Sequence, residues 1–306
     1  MPSEKTQVLE YLGKRYLAGD FPDGIIRNDD VVDAIRVTGA SLSKSNPANF
    51  LKDVIRKTSA NQNWPTLLKE ERVTARQRYG EKRVMQFIPY GEDQNVPFPD
   101  PFEPDEATRV HLVQTASLPY VARHLGRSEE TWLTQIAVNL RLVETQLALF
   151  SEGDQREHLR DIYHLQTGIK TQPEIDASFI ASYTSSDDEQ ILPDYTFITC
   201  EVKQRNERIL PDQIREQIAK AFDITASLVD PAIAYVKALA MKVVPVPAAV
   251  GQREFGVYVV EFNSIARDEF DQEYRNSPDP EALYRMPLAR CATTLFRLSP
   301  RIKAIG

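Results

Sequence analysis

Cysteine and histidine are both scarce in this sequence of 306 residues, which contains two cysteines and four histidines. Cys200 and Cys291 are far apart in the chain, so we expect neither a disulfide framework nor a metal site built on cysteine. The histidines show no spacing that is typical of metal ligands. A chain with so few thiols fits a reducing compartment, and we expect a cytoplasmic location.

Long apolar runs are also missing. No stretch approaches the ~20 apolar residues that a membrane-spanning helix requires, so we expect no membrane partner. The first residues, MPSEKTQVLEYL, are polar and amphipathic, and we expect no secretory signal there. With 42% hydrophobic and 26% charged residues, the composition is typical of a globular protein.

The net charge is −7, but the two signs are unevenly distributed. Residues 41–90 contain 10 Lys and Arg against 4 Asp and Glu, whereas residues 91–306 contain 22 against 33. Local charge matters more than the total for attracting a polyanion. A basic region ahead of an acidic remainder predicts a DNA-binding module joined to a module that holds carboxylates.

A proline-rich, acidic segment separates these two regions. Gly91–Ala107 (GEDQNVPFPDPFEPDEA) contains four prolines and six acidic residues. Such a segment is typical of an extended linker, because proline cannot continue a helix or an interior strand. We therefore predict a DNA-binding domain over 1–90, a linker over 91–107 and a second domain over 108–306.

Three helical patterns and a pair of strands precede this linker. Apolar residues recur at helical spacing over Thr6–Ala18, Asn28 is placed to cap a helix over Asp29–Val37, and Pro47 stands in the first turn of a third helix. Two strand patterns then flank a turn at Gly80. This order resembles the winged helix, a helix-turn-helix variant whose third helix enters the DNA major groove.

The resemblance implies that DNA is contacted by the third helix and the strand pair, where basic residues concentrate. Asn46 and Asn49 are candidates for reading adenine edges, although helix capping explains Asn46 equally well. A small helical domain with a solvated basic face is the alternative. The candidate DNA-binding residues are Lys44, Asn46, Asn49, Lys52, Arg56, Lys57, Arg72, Arg76, Arg78, Lys82 and Arg83.

The second domain is predicted to be a mixed α/β sheet flanked by helices. A long helix over Ser128–Phe150, capped by Ser128, precedes three strand patterns, a second helix and two further strands. These elements are expected at 163–169, 174–183, 195–204, 211–222, 236–246 and 255–262. Residues 263–306 show no pattern that we can assign.

Two charged residues close one of these apolar strands. In FITCEVKQ (Phe197–Gln204), Glu201 and Lys203 are two residues apart and therefore point to the same face of a strand. If strands 174–183 and 195–204 pair as an antiparallel hairpin, Asp176 lies close to both. Two carboxylates are ligands that suit Mg²⁺, and the carbonyl of Val202 could supply a third oxygen. Lys203 would then orient a water molecule, or stabilise the negative charge that develops when that water attacks a phosphodiester.

The same residues resemble the PD-(D/E)XK nuclease signature. Pro173-Glu174-Ile175-Asp176 is followed, after 24 residues, by Glu201-Val202-Lys203. Two residues separate the proline from the aspartate, which departs slightly from the pattern. The order of helix, three strands, helix and strand is similar to that family's core. A nuclease core after a winged-helix module is similar to type II restriction endonucleases.

The resemblance implies a role for each site residue. Asp176 and Glu201 would hold Mg²⁺, with the Val202 carbonyl, and Lys203 would position the attacking water. Some members add a glutamate from the first core helix. Candidate accessory residues are Glu130 and Glu144, for which a surface or capping role is the alternative, and Gln204, Gln213 and Gln217, for which structural hydrogen bonding is the alternative. Candidate phosphate contacts are Arg123 and Arg127, for which a solvated loop is the alternative.

The leading hypothesis is therefore a Mg²⁺-dependent endodeoxyribonuclease that cuts duplex DNA at a short site. The layout is also similar to modification-dependent restriction enzymes that cut sites containing 5-methylcytosine, although no residue marks a methyl-base pocket. A structure-specific repair or nicking nuclease and a non-catalytic winged-helix regulator are the alternatives. Because two strands must be cut, we expect a homodimer.

Overall fold

The computed structural model describes residues 3–45, 47, 54–78, 80, 82–152, 155–184, 194–228, 233–246 and 254–305. The chain forms two compact units. The first comprises Met1–Pro101 and Asn206–Asp212, and the second comprises Phe102–Arg205 and Gln213–Gly306. The first boundary falls inside the proline-rich segment. Nothing in the sequence predicted that Asn206–Asp212 belongs to the first unit.

Short helices and a small sheet make up the first unit. Its helices are α1 (Glu4–Leu17), α2 (Asn28–Thr38), α3 (Ala60–Asn63) and α4 (Thr66–Glu70), and residues 54–56 are also helical. Its strands β1 (Ile25–Arg27), β2 (Val73–Gln77) and β3 (Arg83–Pro89) form an antiparallel sheet in the order β1-β3-β2. The predicted strand pair is confirmed, whereas β1, α3 and α4 were missed.

The predicted cap of α2 is wrong. Asn28 is the first residue of the helix, and the residue before it, Arg27, occupies the capping position. The side chain of Asp30 accepts a hydrogen bond from the Arg27 backbone N–H at 2.9 Å. An acid in the first turn thus satisfies a backbone donor and also suits the helix dipole.

The core of the first unit surrounds Trp64. Only 2% of this residue is exposed, and its indole N–H donates to the Val73 carbonyl at 2.8 Å. Its ring meets Phe98 edge-on, with 4.8 Å between the ring centroids. Phe98 from the proline-rich segment and Leu210 from Asn206–Asp212 both belong to this core. Buried apolar side chains therefore fix both segments to the first unit, and each contributes about 1.5–3 kcal/mol.

The second unit is built on a mixed sheet of eight strands. The strands are β4 (Arg109–Gln114), β5 (Leu159–Ile169), β6 (Ile175–Tyr183), β7 (Asp194–Lys203), β8 (Ile233–Val246), β9 (Glu254–Phe262), β10 (Ile265–Ala266) and β11 (Arg290–Ser299). Seven of them follow one another in the order β4-β11-β9-β8-β7-β6-β5, and β10 pairs with β8. The predicted mixed α/β sheet is therefore confirmed.

Several short helices and one long one accompany this sheet. They are α5 (Tyr120–Leu125), α6 (Glu130–Asn139), α7 (Leu142–Thr145), α8 (Gln155–His158), α9 (Pro211–Ile224), α10 (Arg267–Phe270) and α11 (Ala282–Arg285), with π-helical turns at Gln146–Phe150 and Asp271–Arg275. Within the described ranges, no helix combines the length and the apolar character that crossing a membrane would require.

The single helix predicted over Ser128–Phe150 is wrong. α6 ends at Asn139, and Arg141 adopts a left-handed φ of 53° before α7 begins. A left-handed residue cannot continue a right-handed helix. Ser128 does not cap α6 either, because Glu129 occupies the capping position without a side-chain capping bond.

The C-terminal stretch that showed no pattern completes the sheet. β11 pairs antiparallel with β9 and parallel with β4. The strand β4 was also missed by the sequence analysis. Nearer the middle of the sheet, β6 and β7 form the antiparallel pair that was predicted. β7 and β8 run parallel, and the long helix α9 lies between them in the chain. These three strands carry the candidate site.

Candidate functional site

Side chains alternate between the two faces of β6 and β7, and this alternation separates an apolar face from a face that carries the charged residues. Ala177 and Phe179 on β6, with Cys200 and Val202 on β7, belong to the core cluster that includes Leu133 of α6. Because neighbouring residues of a strand point to opposite faces, the three residues of the predicted motif project from the other face. These are Asp176, Glu201 and Lys203.

The strand register brings the two carboxylates together. Ala177 pairs with Cys200, and one further step along the same register sets Asp176 opposite Glu201. Directly opposed residues of antiparallel strands have Cβ atoms about 4.5–5.5 Å apart. The Asp176 carboxylate also accepts the backbone N–H of Val202 at 2.8 Å, which fixes its position at the end of β7. The predicted convergence of Asp176 on Glu201 is therefore found.

Lys203 is buried among acceptors. Only 1% of the residue is exposed. Its ammonium Nζ lies 3.0 Å from Glu130 of α6 and 3.0 Å from the Val202 carbonyl, and it forms an ion pair with Glu201. Glu130, one of the two accessory glutamates named from the sequence, therefore contacts the lysine. A buried ammonium is tolerated here because two carboxylates offset its desolvation.

Gln217 of α9 completes the surroundings of Glu201. Its side-chain amide donates to the Glu201 carboxylate and, at 2.8 Å, to the Glu174 backbone carbonyl. Both Gln217 and Glu201 are fully buried. Glu201 Oε1 and Gln217 Oε1 have no hydrogen-bond partner among the described residues, although Glu201 Oε1 contacts the Lys203 ammonium outside hydrogen-bonding geometry. Unpartnered buried oxygens are costly unless a donor or cation meets them.

The carboxylates repel one another. Burial, followed by the negative charge of Glu201, raises the pKa of Asp176 to about 8, although the Lys203 ammonium acts in the opposite direction. Burial also raises the pKa of the Cys200 thiol, so that this residue stays protonated and unreactive. The excess of negative charge around Asp176 is the electrostatic condition under which a divalent cation binds well.

The oxygens of this site fit Mg²⁺ by chemistry and by their unmet bonding capacity. Asp176 and Glu201 offer carboxylate oxygens, and the Val202 carbonyl has a second lone pair beside the one that meets Lys203. Among the described residues Glu201 Oε1 accepts no hydrogen bond, although it forms an ion pair with Lys203. In the part of the chain that the structure describes, no group of three or more His, Cys, Asp or Glu side chains is arranged to hold a metal. A divalent ion placed here would be held by two carboxylates and a backbone oxygen.

The remaining accessory candidates lie in other surroundings. Gln204 donates to the Glu129 carbonyl at 2.9 Å and thus secures the start of α6, as the structural alternative proposed. Gln213 is buried, and its Oε1 has no partner among the described residues. Burial raises the pKa of the Glu144 carboxyl, although the positive charge of Arg141 acts in the opposite direction. The helix break at Arg141 separates Glu144 from the α6 surface that carries Glu130.

Several basic residues of the first unit are engaged within that unit. Arg76 pairs with Asp212 at 3.4 Å, and Lys57 pairs with Glu207 at 3.0 Å. Arg72 donates to the Gln94 carbonyl at 3.0 Å, and Arg78, only 7% exposed, donates to Gln86. These contacts stabilise the unit and occupy donors that were predicted to contact DNA.

Other predicted DNA contacts differ in exposure. Lys44 and Lys82 are exposed at the surface of the first unit, whereas Arg56 and Arg83 are half-buried. In the second unit Arg127 is exposed, while Arg123 is half-buried in α5, its guanidinium 5.9 Å from the Tyr120 ring centroid. The candidates Asn46, Asn49 and Lys52 lie outside the described residues.

Two buried lysines of β8 were missed. Lys237 pairs with Glu261 at 2.6 Å, and Ser151 donates to the same carboxylate at 2.6 Å. Lys242 pairs with Glu103. The signal was present, since both lysines interrupt the apolar strand VKALAMKVVPV, but their acidic partners are distant in the sequence.

Comparison of the chain with protein-family models, with curated proteins and with solved structures finds no match.

Proposed function

We propose that this protein is a Mg²⁺-dependent endodeoxyribonuclease that hydrolyses phosphodiester bonds of duplex DNA at a short specific site. The observation that carries the proposal is the opposition of Asp176 and Glu201 across the β6–β7 pair, with the buried ammonium of Lys203 against Glu201. A PD-(D/E)XK core accounts for this arrangement. The order of α6, β5, β6, β7, α9 and β8 supports that interpretation.

Each side chain has a task in this scheme. Asp176 and Glu201, with the Val202 carbonyl beside them, would hold the ion, and Mg²⁺ bound there would supply Lewis-acid stabilisation of the charge that develops on the phosphate. Lys203 orients the attacking water and stabilises that same charge. Gln217 and the Val202 N–H keep the two carboxylates in position. Glu130 neutralises the lysine until substrate binds.

The first unit is proposed to bind the duplex as a winged-helix module. Two features support this assignment. The helices of the unit are followed by the β2–β3 pair, and residues 41–90 carry an excess of basic side chains. Cutting both strands requires two active sites or two visits, so we propose a homodimer on DNA. The assay below includes methylated substrates because the layout is also similar to that of modification-dependent restriction enzymes.

The test is a cleavage assay on supercoiled plasmid and phage DNA, methylated or unmethylated, with Mg²⁺ or EDTA. The proposal predicts discrete fragments with Mg²⁺ that disappear with EDTA and with the Asp176→Ala or Lys203→Ala variant. Asp161→Ala is the matched control, because Asp161 is an exposed aspartate on the neighbouring strand β5. It is expected to cut as the unmodified chain does.

The outcomes separate the candidate functions. Discrete fragments support a restriction-type enzyme, and their dependence on methylation decides whether base modification is required. A smear or nicked circles indicates a structure-specific nuclease. A gel shift of the DNA without any cleavage contradicts catalysis and leaves a DNA-binding regulator.

A further inference from the structure

Lys242 lies beside Lys203 on the neighbouring strand. β7 and β8 run parallel, and their register pairs Lys203 with Lys242. Paired residues share a face of the sheet, and neighbouring strands are about 4.8 Å apart. Lys242 therefore continues, on β8, the row of charged side chains that Glu201 and Lys203 begin on β7.

The packing of β8 confirms the face on which Lys242 lies. Its neighbours Met241 and Val243 belong to the apolar core on the α6 side of the sheet. Lys242 accordingly projects from the opposite face, and only 2% of the residue is exposed. Two buried ammonium groups in register are unfavourable unless anions accompany them.

One anion that accompanies Lys242 comes from the acidic segment before β4. Glu103 forms an ion pair with Lys242, and the Glu103 side chain is 47% exposed whereas that of Lys242 is 3% exposed. The carboxylate therefore reaches from the surface down to a buried cation. A phosphate oxygen makes the same charge-assisted contact with an ammonium as a carboxylate oxygen does.

We propose that Lys242 is a further catalytic residue, which contacts a non-bridging oxygen of the scissile phosphate and stabilises the charge that develops there. Glu103 is the counter-ion that the phosphate replaces when DNA binds. The inference rests on the nuclease function proposed above and adds a second cation to its site. No covalent bond to Lys242 is formed or broken.

The other buried lysine of β8 provides a matched control. Lys237 is five residues from Lys242 and so lies on the opposite face of the same strand. It is equally buried, and it pairs with the fully buried Glu261. Removing either ammonium breaks the ion pair of a buried lysine, but only Lys242 lies on the face of the candidate site.

The experiment measures single-turnover cleavage with Mg²⁺ of a duplex that the unmodified chain cuts, together with urea unfolding of each variant. Lys242→Met is expected to slow cleavage about 10²–10³-fold, as the loss of one group that stabilises transition-state charge does. Lys242→Arg restores part of the rate. Lys237→Met lowers stability but leaves the rate per folded molecule unchanged.

A second pair of variants tests the exchange of Glu103 for phosphate and does not require Lys242 to be altered. Binding of the same duplex is measured with Ca²⁺ in place of Mg²⁺. Glu103→Gln is expected to tighten binding several-fold, because the competing carboxylate is gone. Glu106→Gln removes the same charge from a nearby exposed residue and is expected to tighten it less.

The results distinguish this inference from the proposal on which it rests. Cleavage by Lys242→Met at the rate of the unmodified chain, or equal loss in both lysine variants, overturns the role of Lys242 alone. If Lys242→Met fails to fold, the binding measurement decides instead. In that case the role of Lys242 is overturned when Glu103→Gln binds DNA no more tightly than Glu106→Gln does. An unmodified chain that cleaves no DNA overturns the nuclease proposal and this one together.

Discussion

Replacing Asp176 by asparagine is expected to stabilise the metal-free chain at pH 8. Burial and the charge of Glu201 raise the pKa of Asp176 from 3.8 to about 8. The folded state therefore holds this proton more tightly than the unfolded state does. Below pH 3.8 Asp176 is protonated in both states, so it does not lower the free energy of unfolding. As the pH rises towards 8, the unfolded state loses this proton first and the folded state becomes less stable relative to it. Asparagine avoids that cost and still offers an oxygen to the Val202 N–H.

The size of the effect follows from the two pKa values. They differ by about 4, and each pKa unit corresponds to about 1.4 kcal/mol, so the upper limit is about 6 kcal/mol above pH 8. Water entry and rearrangement reduce such penalties in real proteins. We therefore expect Asp176→Asn to raise the free energy of unfolding by about 2–4 kcal/mol at pH 8 and by less than half of that at pH 5.

The assay is urea unfolding in EDTA at the two pH values, followed by fluorescence. Trp64 and Trp132 are the only tryptophans, one in each unit. In a Trp64→Phe background, Trp132 reports the second unit alone. Asp161→Asn, at an exposed position of β5, is the control and is expected to show no such gain. If Asp176→Asn is no more stable than its background at pH 8, the electrostatic description of the site is wrong.

Three further predictions concern the first unit. Trp64→Ala, which empties the centre of its core, is expected to lower the free energy of unfolding by about 3–5 kcal/mol in urea denaturation, and a change under 1 kcal/mol would contradict that packing. Arg208→Ala removes a guanidinium that donates to the Ile55 carbonyl at 3.2 Å and approaches Asp100 at 3.9 Å, and the same measurement should show a loss of about 2–4 kcal/mol. Lys82→Ala is expected to weaken DNA binding and to reduce the slope of log K against log salt by about 1, whereas an unchanged slope would remove Lys82 from the DNA interface.

The hairpin of the candidate site could be predicted because its signals are local. The apolar run that ends in Glu201 and Lys203 fixes both the strand and the face of its charges, and Asp176 opens the preceding strand in the same way. The antiparallel pairing then follows from two adjacent strands. Glu130 was named from the family resemblance, and it contacts Lys203.

What could not be predicted depends on contacts between distant parts of the chain. β11 pairs with β4 across nearly two hundred residues, and neither strand has a pattern that names the other. The helix break at Arg141 was hidden because apolar residues on both sides of it, such as Ile136 and Leu147, face the same core. The pairing of Lys242 with Glu103 could not be predicted either, since Glu103 lies in the segment that was predicted to be an extended linker.

The most direct test of the central claim is the position of a bound ion. Crystals grown with Mn²⁺ in place of Mg²⁺ allow the ion to be located from its anomalous scattering. We predict a peak about 2.1 Å from one carboxylate oxygen of Asp176 and one of Glu201, next to the Val202 carbonyl. A peak elsewhere in the chain, or saturating Mn²⁺ with no peak between these two carboxylates, would contradict the account.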